Sequence, residues 1–392
     1  MKNNTTNLKY DDIPVLGIGT LGYGVMAKAH TNGYKQMPYV FWPPPAIPRL
    51  VKICGRNEEK LKIEAEMFGY ESYCTDWQDL ISDRDIDILV NVGSNDIHAE
   101  PCIEAAKAGK HIVCEKPLAR DAREAKAMLD AVVKAKVKHL CNFSNRMIPA
   151  MALAKKLLME EDFGRIYHFR VNYLMDYYTD PNIPRTWRMI KELAGSGITA
   201  DLTVHAVDLA RWLCGEPKSV SAITQTYFDQ RPLAEGSDKK GKIEVDDASI
   251  AILEFSNGAI GYLESTAFAT GRRTYIGVEL NAEKGSFYWN FEDLNHLHVY
   301  YTKEKRNDTR GYHKIDVSQE YHPYFDKWLP YGEKIGYSAA FVHSAYHIAK
   351  AVINDEKLEP MIATFEDGYK ANVICDAIIE SAEKGRKIDI RY

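Results

Sequence analysis

The string Gly17-Ile18-Gly19-Thr20-Leu21-Gly22 constrains this chain more than any other feature. It stands between a short apolar run, residues 13–16, and a helix-compatible stretch, residues 22–31. Strand, glycine turn and helix in that order make the first unit of a dinucleotide-binding sheet. The glycines permit a tight turn and let the backbone approach a pyrophosphate, whose charge sits at the helix N-terminus. Alone, the pattern also fits an ordinary glycine-rich turn. The residues that follow favour the first reading.

Apolar strand patterns at 50–54, 86–92, 112–114 and 139–143 alternate with helix patterns at 58–68, 77–82, 97–108 and 121–136. Such alternation predicts an α/β fold with a parallel, doubly wound sheet, whose ligands gather beyond the carboxyl ends of the strands. Three stretches fall at those ends and should line one crevice: the glycine turn, Ser94-Asn95, and Glu115-Lys116. Pro117 lacks a ladder donor and stops the strand before it, which would deliver Lys116 into the crevice. The stretch 34–48 holds Phe41, Trp42, Pro43, Pro44 and Pro45 and is expected to be an extended insertion, neither helix nor central strand. An NAD-binding fold usually carries an acidic residue near the end of its second strand. Here Gly55-Arg56-Asn57 stands instead, and Arg56 could meet a 2′-phosphate or stack on adenine. The choice between NAD and NADP stays open on these residues.

At 392 residues the chain exceeds one ordinary core. Two domains are expected, 1–145 for the dinucleotide and 146–392 for substrate binding and oligomerisation. A net charge of -5 without a basic stripe argues against nucleic acid. No apolar run is long enough to span a membrane, and residues 1–12 are too polar for a secretion signal. The seven cysteines are scattered without a C-x-x-C pair, so free thiols in a reducing cytoplasm are expected. No spacing of His or Cys suggests a metal site.

Beyond residue 146 the texture changes. Alternating or β-branched runs at 166–176, 219–228, 248–255, 259–268 and 275–281 predict an α+β domain with a mostly antiparallel sheet. A helix over 197–213 carries Asp201, His205 and Asp208. Asp201 and His205 are four apart and so share a helix face. A histidine beside a carboxylate suits general-base work near neutral pH.

Several motifs together resemble the Gfo/Idh/MocA oxidoreductases over essentially the whole length. They are the glycine string, Asn95-x-x-His98, Glu115-Lys116-Pro117, and Trp187-Arg188 followed by Ala194-Gly195-Ser196-Gly197. Asp201-x-x-x-His205-x-x-Asp208 and a final helix after Glu366-Asp367-Gly368 complete the set. The resemblance implies a nicotinamide cofactor, NAD or NADP, with the finer branch named below tipping the choice to NAD, and hydride exchange with a ring hydroxyl of a sugar, glycoside or cyclic polyol. It assigns catalysis to Lys116, Asp201 and His205, and a dimer or tetramer interface to the second sheet. Cofactor contacts are expected from Gly17, Gly19, Thr20, Leu21, Gly22, Arg56, Ser94, Asn95, His98, Glu115 and Lys116. Substrate contacts are expected from Lys116, Asn145, Arg146, Trp187, Asp201, His205 and Tyr324. The proline-rich insertion, Gly55 and Ser196 depart from the family pattern. Ala29-His30-Thr31-Asn32, Tyr321-His322-Pro323 and Ile335-Gly336-Tyr337 resemble the branch of levoglucosan dehydrogenase and the glycoside 3-dehydrogenases.

On this reading His205 takes the hydroxyl proton, Lys116 stabilises the developing alkoxide, and Asp201 orients His205 or holds a neighbouring hydroxyl. Sugar faces are apolar, so Trp187, Tyr324 and Trp328 are candidate flanking rings. The competing reading is a non-catalytic dinucleotide-binding regulator of sugar metabolism. It would need neither Lys116 nor His205, and the chain has both.

Overall fold

In the computed structural model the described residues are 10–160, 163–304, 306–328, 330–358 and 360–392. Most of the polar N-terminal stretch, residues 1–9, lies outside them. The first sheet has six parallel strands: β1 (Val15–Leu21), β2 (Ile47–Cys54), β3 (Ser72–Cys74), β4 (Ile88–Asn91), β5 (His111–Cys114) and β6 (His139–Cys141). Their order is β3-β2-β1-β4-β5-β6. The chain therefore reverses direction across the sheet between β1 and β4, and a crevice opens at that switch point. Helices α1 (Val25–Val40), α2 (Glu58–Phe68), α3 (Gln78–Ser82), α4 (Ala99–Lys107) and α5 (Ala122–Ala135) connect these strands. All four residues of β4 are buried, as expected of a strand covered on both faces.

Two expectations about the first turn need correction. The strand does not end at Leu16; β1 runs through Gly17 and Gly19 to Leu21, and the turn is Gly22-Tyr23-Gly24. The insertion is also shorter than expected, because α1 continues through Tyr34 and Pro38 to Val40. Pro48 lies inside β2. The Ile47 N–H donates to Pro14 O on the β1 side, so the next residue faces the opposite side. There β3 pairs only from Lys52 onward, and proline's missing N–H leaves no ladder bond unmade.

After α6 (Pro149–Glu160) the chain enters a nine-stranded, mostly antiparallel sheet. Its strands are β7 (Ile166–Leu174), β8 (Pro217–Gln225), β11 (Ala248–Phe255), β12 (Ile260–Thr266) and β13 (Tyr275–Ala282), with β14 (Gly285–Asn290), β15 (His296–Tyr301), β16 (His313–Asp316) and β17 (Ile388–Asp389). A separate hairpin is made by β9 (Gln230–Pro232) and β10 (Lys240–Lys242). Between β7 and β8 run α7 (Lys191–Ala194), a π-helical turn (Thr199–Thr203) and α8 (Val204–Cys214). The last helices are α9 (Ala339–Ile353) and α10 (Phe365–Lys384).

The layers of the molecule do not follow chain order. Helix α9 packs against α1: a carbon added at Gly33 would stand 2.6 Å from Phe341 O, and Phe41 stacks on Tyr346 at 3.9 Å. Helix α10 opens with a capping box at Thr364 and Asp367. Asn372 on α10 exchanges hydrogen bonds with Ala119, just beyond the Lys116 turn.

Candidate active site

At the head of the crevice, helix α1 begins directly after Gly24, which provides no side-chain cap. Its first amides are left to a ligand. Gly22 has φ of 110° and Gly24 of 152°, and a carbon added at Gly24 would meet nothing within 4 Å. Backbone and space here fit a pyrophosphate. The working fingerprint is thus Gly22-x-Gly24-x-x-Ala27, with buried Ala27 as the small third member, and not Gly17 to Gly22. Gly17 and Gly19 are needed for packing. A carbon on Gly17 would lie 1.7 Å from Asp85 O, and one on Gly19 2.6 Å from the Ile86 side chain. Thr20 is buried and bonds Tyr70. Of the expected set, Leu21, Gly22, Arg56, Ser94, Asn95, Glu115 and Lys116 do line the cleft, together with Tyr23, Val25, Met26 and Trp77.

His98 does not reach this cleft. It is fully buried and bridges Pro117 O and Gly93 O at 2.9 and 3.2 Å, pinning the turn after β4 to the turn after β5. Burial keeps its imidazole below the ordinary pKa. Asn95 donates to Ala194 O at 2.8 Å and so ties the first domain to the loop before the π turn. Glu115 is buried against His30 and Asn142, both at 2.7 Å. Burial alone would raise its pKa; hydrogen bonding and charge from His30 bring it down to about 2.

Lys116 follows, joined to Pro117 by a cis peptide bond. Its Nζ donates to both the backbone oxygen and Oδ1 of Asp201 at 2.8 Å. The other carboxylate oxygen of Asp201 accepts from Tyr177 at 3.0 Å, with Arg188 Nε at 3.6 Å. Burial opposes ionisation of Asp201, but the Lys116 and Arg188 charges hold its pKa well below the carboxylate range. The widened turn that carries Asp201 is held from below by Asp246. That carboxylate accepts from the N–H groups of Gly197 and Thr199 and from the Thr199 hydroxyl, each at 2.8 Å.

His205 lies one turn further on, between the rings of Phe143 and Tyr173. Asp201 spends its carboxylate on Lys116, Tyr177 and Arg188, so the expected near-neutral histidine–carboxylate pair is not what forms. The π turn takes an extra residue per hydrogen-bonded loop and breaks the simple four-residue relation. Burial first, and the Lys116 charge second, pull the His205 pKa down to about 3. Its Nδ1 is buried without a hydrogen-bond partner among the described residues.

Arg146 and Tyr324, expected at the substrate, are structural. Arg146 makes a buried two-point ion pair with Asp208 (2.9 and 2.5 Å) and reaches the partly exposed Asp367 at 3.1 Å. Tyr324 stacks on His343 at 3.9 Å and bonds His347, while the Trp328 indole donates to His343. Both rings are thereby committed to packing on α9. Trp187 does line the cleft, beneath the guanidinium of Arg188 at 4.4 Å. Asn145 is buried, and neither amide atom has a hydrogen-bond partner among the described residues. Tyr177 and Asp246 were not singled out from sequence, and Arg188 entered only within the Trp187-Arg188 motif. Tertiary folding brings Tyr177 and Arg188 to Asp201, and Asp246 beneath the turn that carries it.

Comparison with known proteins agrees with this geometry. Residues 16–143 match a family model described as an oxidoreductase family with an NAD-binding Rossmann fold, and residues 151–288 match a GFO/IDH/MocA C-terminal domain. The levoglucosan dehydrogenase of Pseudarthrobacter phenanthrenivorans is 39% identical over 387 residues, covering 96% of this chain and 98% of that one. A myo-inositol 2-dehydrogenase of Thermotoga maritima is 26% identical over 68% of this chain and 71% of its own. A solved levoglucosan dehydrogenase in complex with NADH and L-sorbose superposes with a TM-score of 0.92 at 40% identity, covering 97% of this chain and all of that one (100%).

Proposed function

Because the chain belongs to the GFO/IDH/MocA oxidoreductase family, we propose that Lys116, Asp201 and His205 act together on a ring secondary hydroxyl of an anhydro sugar or glycoside, the 3-hydroxyl being our choice. The chain is an NAD-dependent sugar or polyol dehydrogenase of this family. The observation that carries the assignment of roles is the Lys116–Asp201 bond at the inner end of the cofactor cleft.

Gly22 to Met26 would hold NAD, which when bound would supply the hydride acceptor. The rest falls to the chain. Lys116 has three N–H donors, and Asp201 takes two of them. The third is left for the substrate oxygen, where a fixed positive charge favours the alkoxide as it develops. His205 is neutral throughout the physiological range and can accept the hydroxyl proton. Trp187 offers an apolar face to the sugar ring, and the unpartnered Asn145 amide suits a neighbouring hydroxyl.

The match to levoglucosan dehydrogenase favours an anhydro sugar over an inositol. The test is a screen of levoglucosan, glycosides, hexoses and inositols with NAD, following the reduced cofactor by absorbance. Reduction with levoglucosan or a glycoside is expected. A preparation that binds NADH but turns over none of these compounds would refute the reading.

We also infer a homo-oligomer formed through the outer face of the second sheet. Ile223 and Ile250 are direct cross-strand partners, 74% and 52% exposed, with Ile252 and Ile260 beside them on neighbouring positions. Light scattering after size exclusion checks this. All seven cysteines are free and buried, which suits a reducing cytoplasm.

A further inference from the structure

Tyr23 stands in the glycine turn between Gly22 and Gly24, and its ring lies over the residue that follows β2. A carbon added at Gly55 would be 2.0 Å from Cδ1 of that ring and 2.2 Å from Cε1. No side chain can begin at position 55 while the ring is there. The ring has reasons to stay: it is partly buried against the apolar cluster beneath β1 and β2, and the Lys60 ammonium sits 5.6 Å from its centroid. Position 55 is where NAD-binding folds commonly carry the acidic residue that bonds the adenosine ribose and repels a 2′-phosphate. Tyr23, Gly55 and Arg56 all line the cofactor cleft.

Charge alone would steer this end of the cleft the other way. It offers Arg56 and, against the Tyr23 ring, Lys60, with no side chain at all on Gly55. Cations so placed attract a phosphate. A chain that uses NAD in such a setting needs a barrier of another kind.

We propose that Tyr23 sets the choice of NAD over NADP: its ring fills the space above Gly55 that a 2′-phosphate would occupy. Selectivity then rests on bulk where related folds use a carboxylate, and Tyr23 and Gly55 form one coupled pair. This inference rests on the NAD assignment above and concerns the adenosine end of the same site.

Steady-state kinetics with NAD and NADP, on the full chain and its variants, test it. Tyr23→Ala should raise the ratio of kcat/KM for NADP over NAD by about tenfold or more, the scale for reshaping a pocket by one group. Tyr23→Phe keeps the ring and should keep the wild-type ratio. Gly55→Asp alone should weaken both cofactors, because the new side chain and the ring compete for one space. Adding Tyr23→Ala to Gly55→Asp should restore NAD binding and drive the ratio below wild type. An unchanged ratio in Tyr23→Ala, a changed one in Tyr23→Phe, or undisturbed NAD binding by Gly55→Asp would each overturn the proposal. Fluorescence titration of the unmodified protein with NADH comes first. Failure to bind there would overturn the cofactor assignment itself, whatever the variants do.

Discussion

The ammonium of Lys116 lies 2.8 Å from Oδ1 of Asp201 across 85 positions of sequence and a domain boundary. The bond joins the turn after β5 to the π turn before α8, so the charge we assign to the substrate oxygen is aimed by a residue from beyond the first sheet. Lys116→Met should lower kcat by a factor of about 10² or more, the range for removing a preorganised charge. Asp201→Asn should also lower kcat, because Lys116 loses its anionic anchor. NADH affinity, measured by fluorescence titration, should change far less in both. Near wild-type turnover in a folded Lys116→Met protein would remove Lys116 from the mechanism.

His205 gives a pH prediction with a definite sign. Its folded pKa is depressed to about 3, so the neutral, proton-accepting form is already complete well below neutrality. The profile of kcat/KM should therefore show no inflection near 6.5, the ordinary imidazole value. His205→Asn should cost about 10² or more in kcat at every pH where the protein is folded. A wild-type inflection near 6.5 that vanishes in His205→Asn would show that the free enzyme does not hold the histidine neutral.

The two kinds of glycine should separate cleanly. Gly24→Val places a side chain in the space that fits the pyrophosphate, at a φ of 152° that L-residues avoid. Its expected effect is at least about a tenfold loss of NADH affinity, on the scale of one lost well-made contact. Gly19→Ala instead presses on Ile86 and should lower the melting temperature, leaving the NADH dissociation constant of the folded protein close to wild type. Calorimetry and thermal denaturation on the same preparations decide it. The reverse pattern would return the phosphate site to the earlier glycines.

Asp208 belongs to stability and not to turnover. Its removal leaves the Arg146 guanidinium, 2% exposed, short of its two-point partner. Asp208→Asn should destabilise the fold by about 3–5 kcal/mol, the range for breaking a buried ion pair from one side. Denaturant melts measure this directly. Unchanged stability with a raised substrate KM would instead place Asp208 at the substrate.

The glycine turn shows why fold and site were unequally legible in the sequence. In Gly17-Ile18-Gly19-Thr20-Leu21-Gly22-Tyr23-Gly24 two overlapping registers satisfy a dinucleotide pattern. Periodicity cannot choose between them, because glycines within a buried strand look like glycines in a turn. The choice is made by Asp85 and Ile86, whose backbone and side chain press on β1 from far along the chain. Lys116 was legible because Pro117 ends its strand, a local effect. Tyr177 and Asp246 carry no local mark; β7 and the start of β11 bring one to Asp201 and the other to Thr199 in the same turn only once the second sheet is formed. Arg146 and Tyr324 misled for the opposite reason. Polar and aromatic residues near a cleft read as ligands until Asp208 and His343 are seen to claim them.

The packing of α9 on α1 has a consequence for the order in which the protein can be finished. Ser344 on α9 donates to Asn142, which bonds Glu115, which in turn holds His30. The first sheet and α1 thus lack part of their covering until residues 339–353 have been synthesised. A nascent chain paused before residue 339 would carry a complete run of six parallel strands with α1 still bare on one side. The buried bond from Ser344 to Asn142 would form only after residue 344 has been made, long after β6.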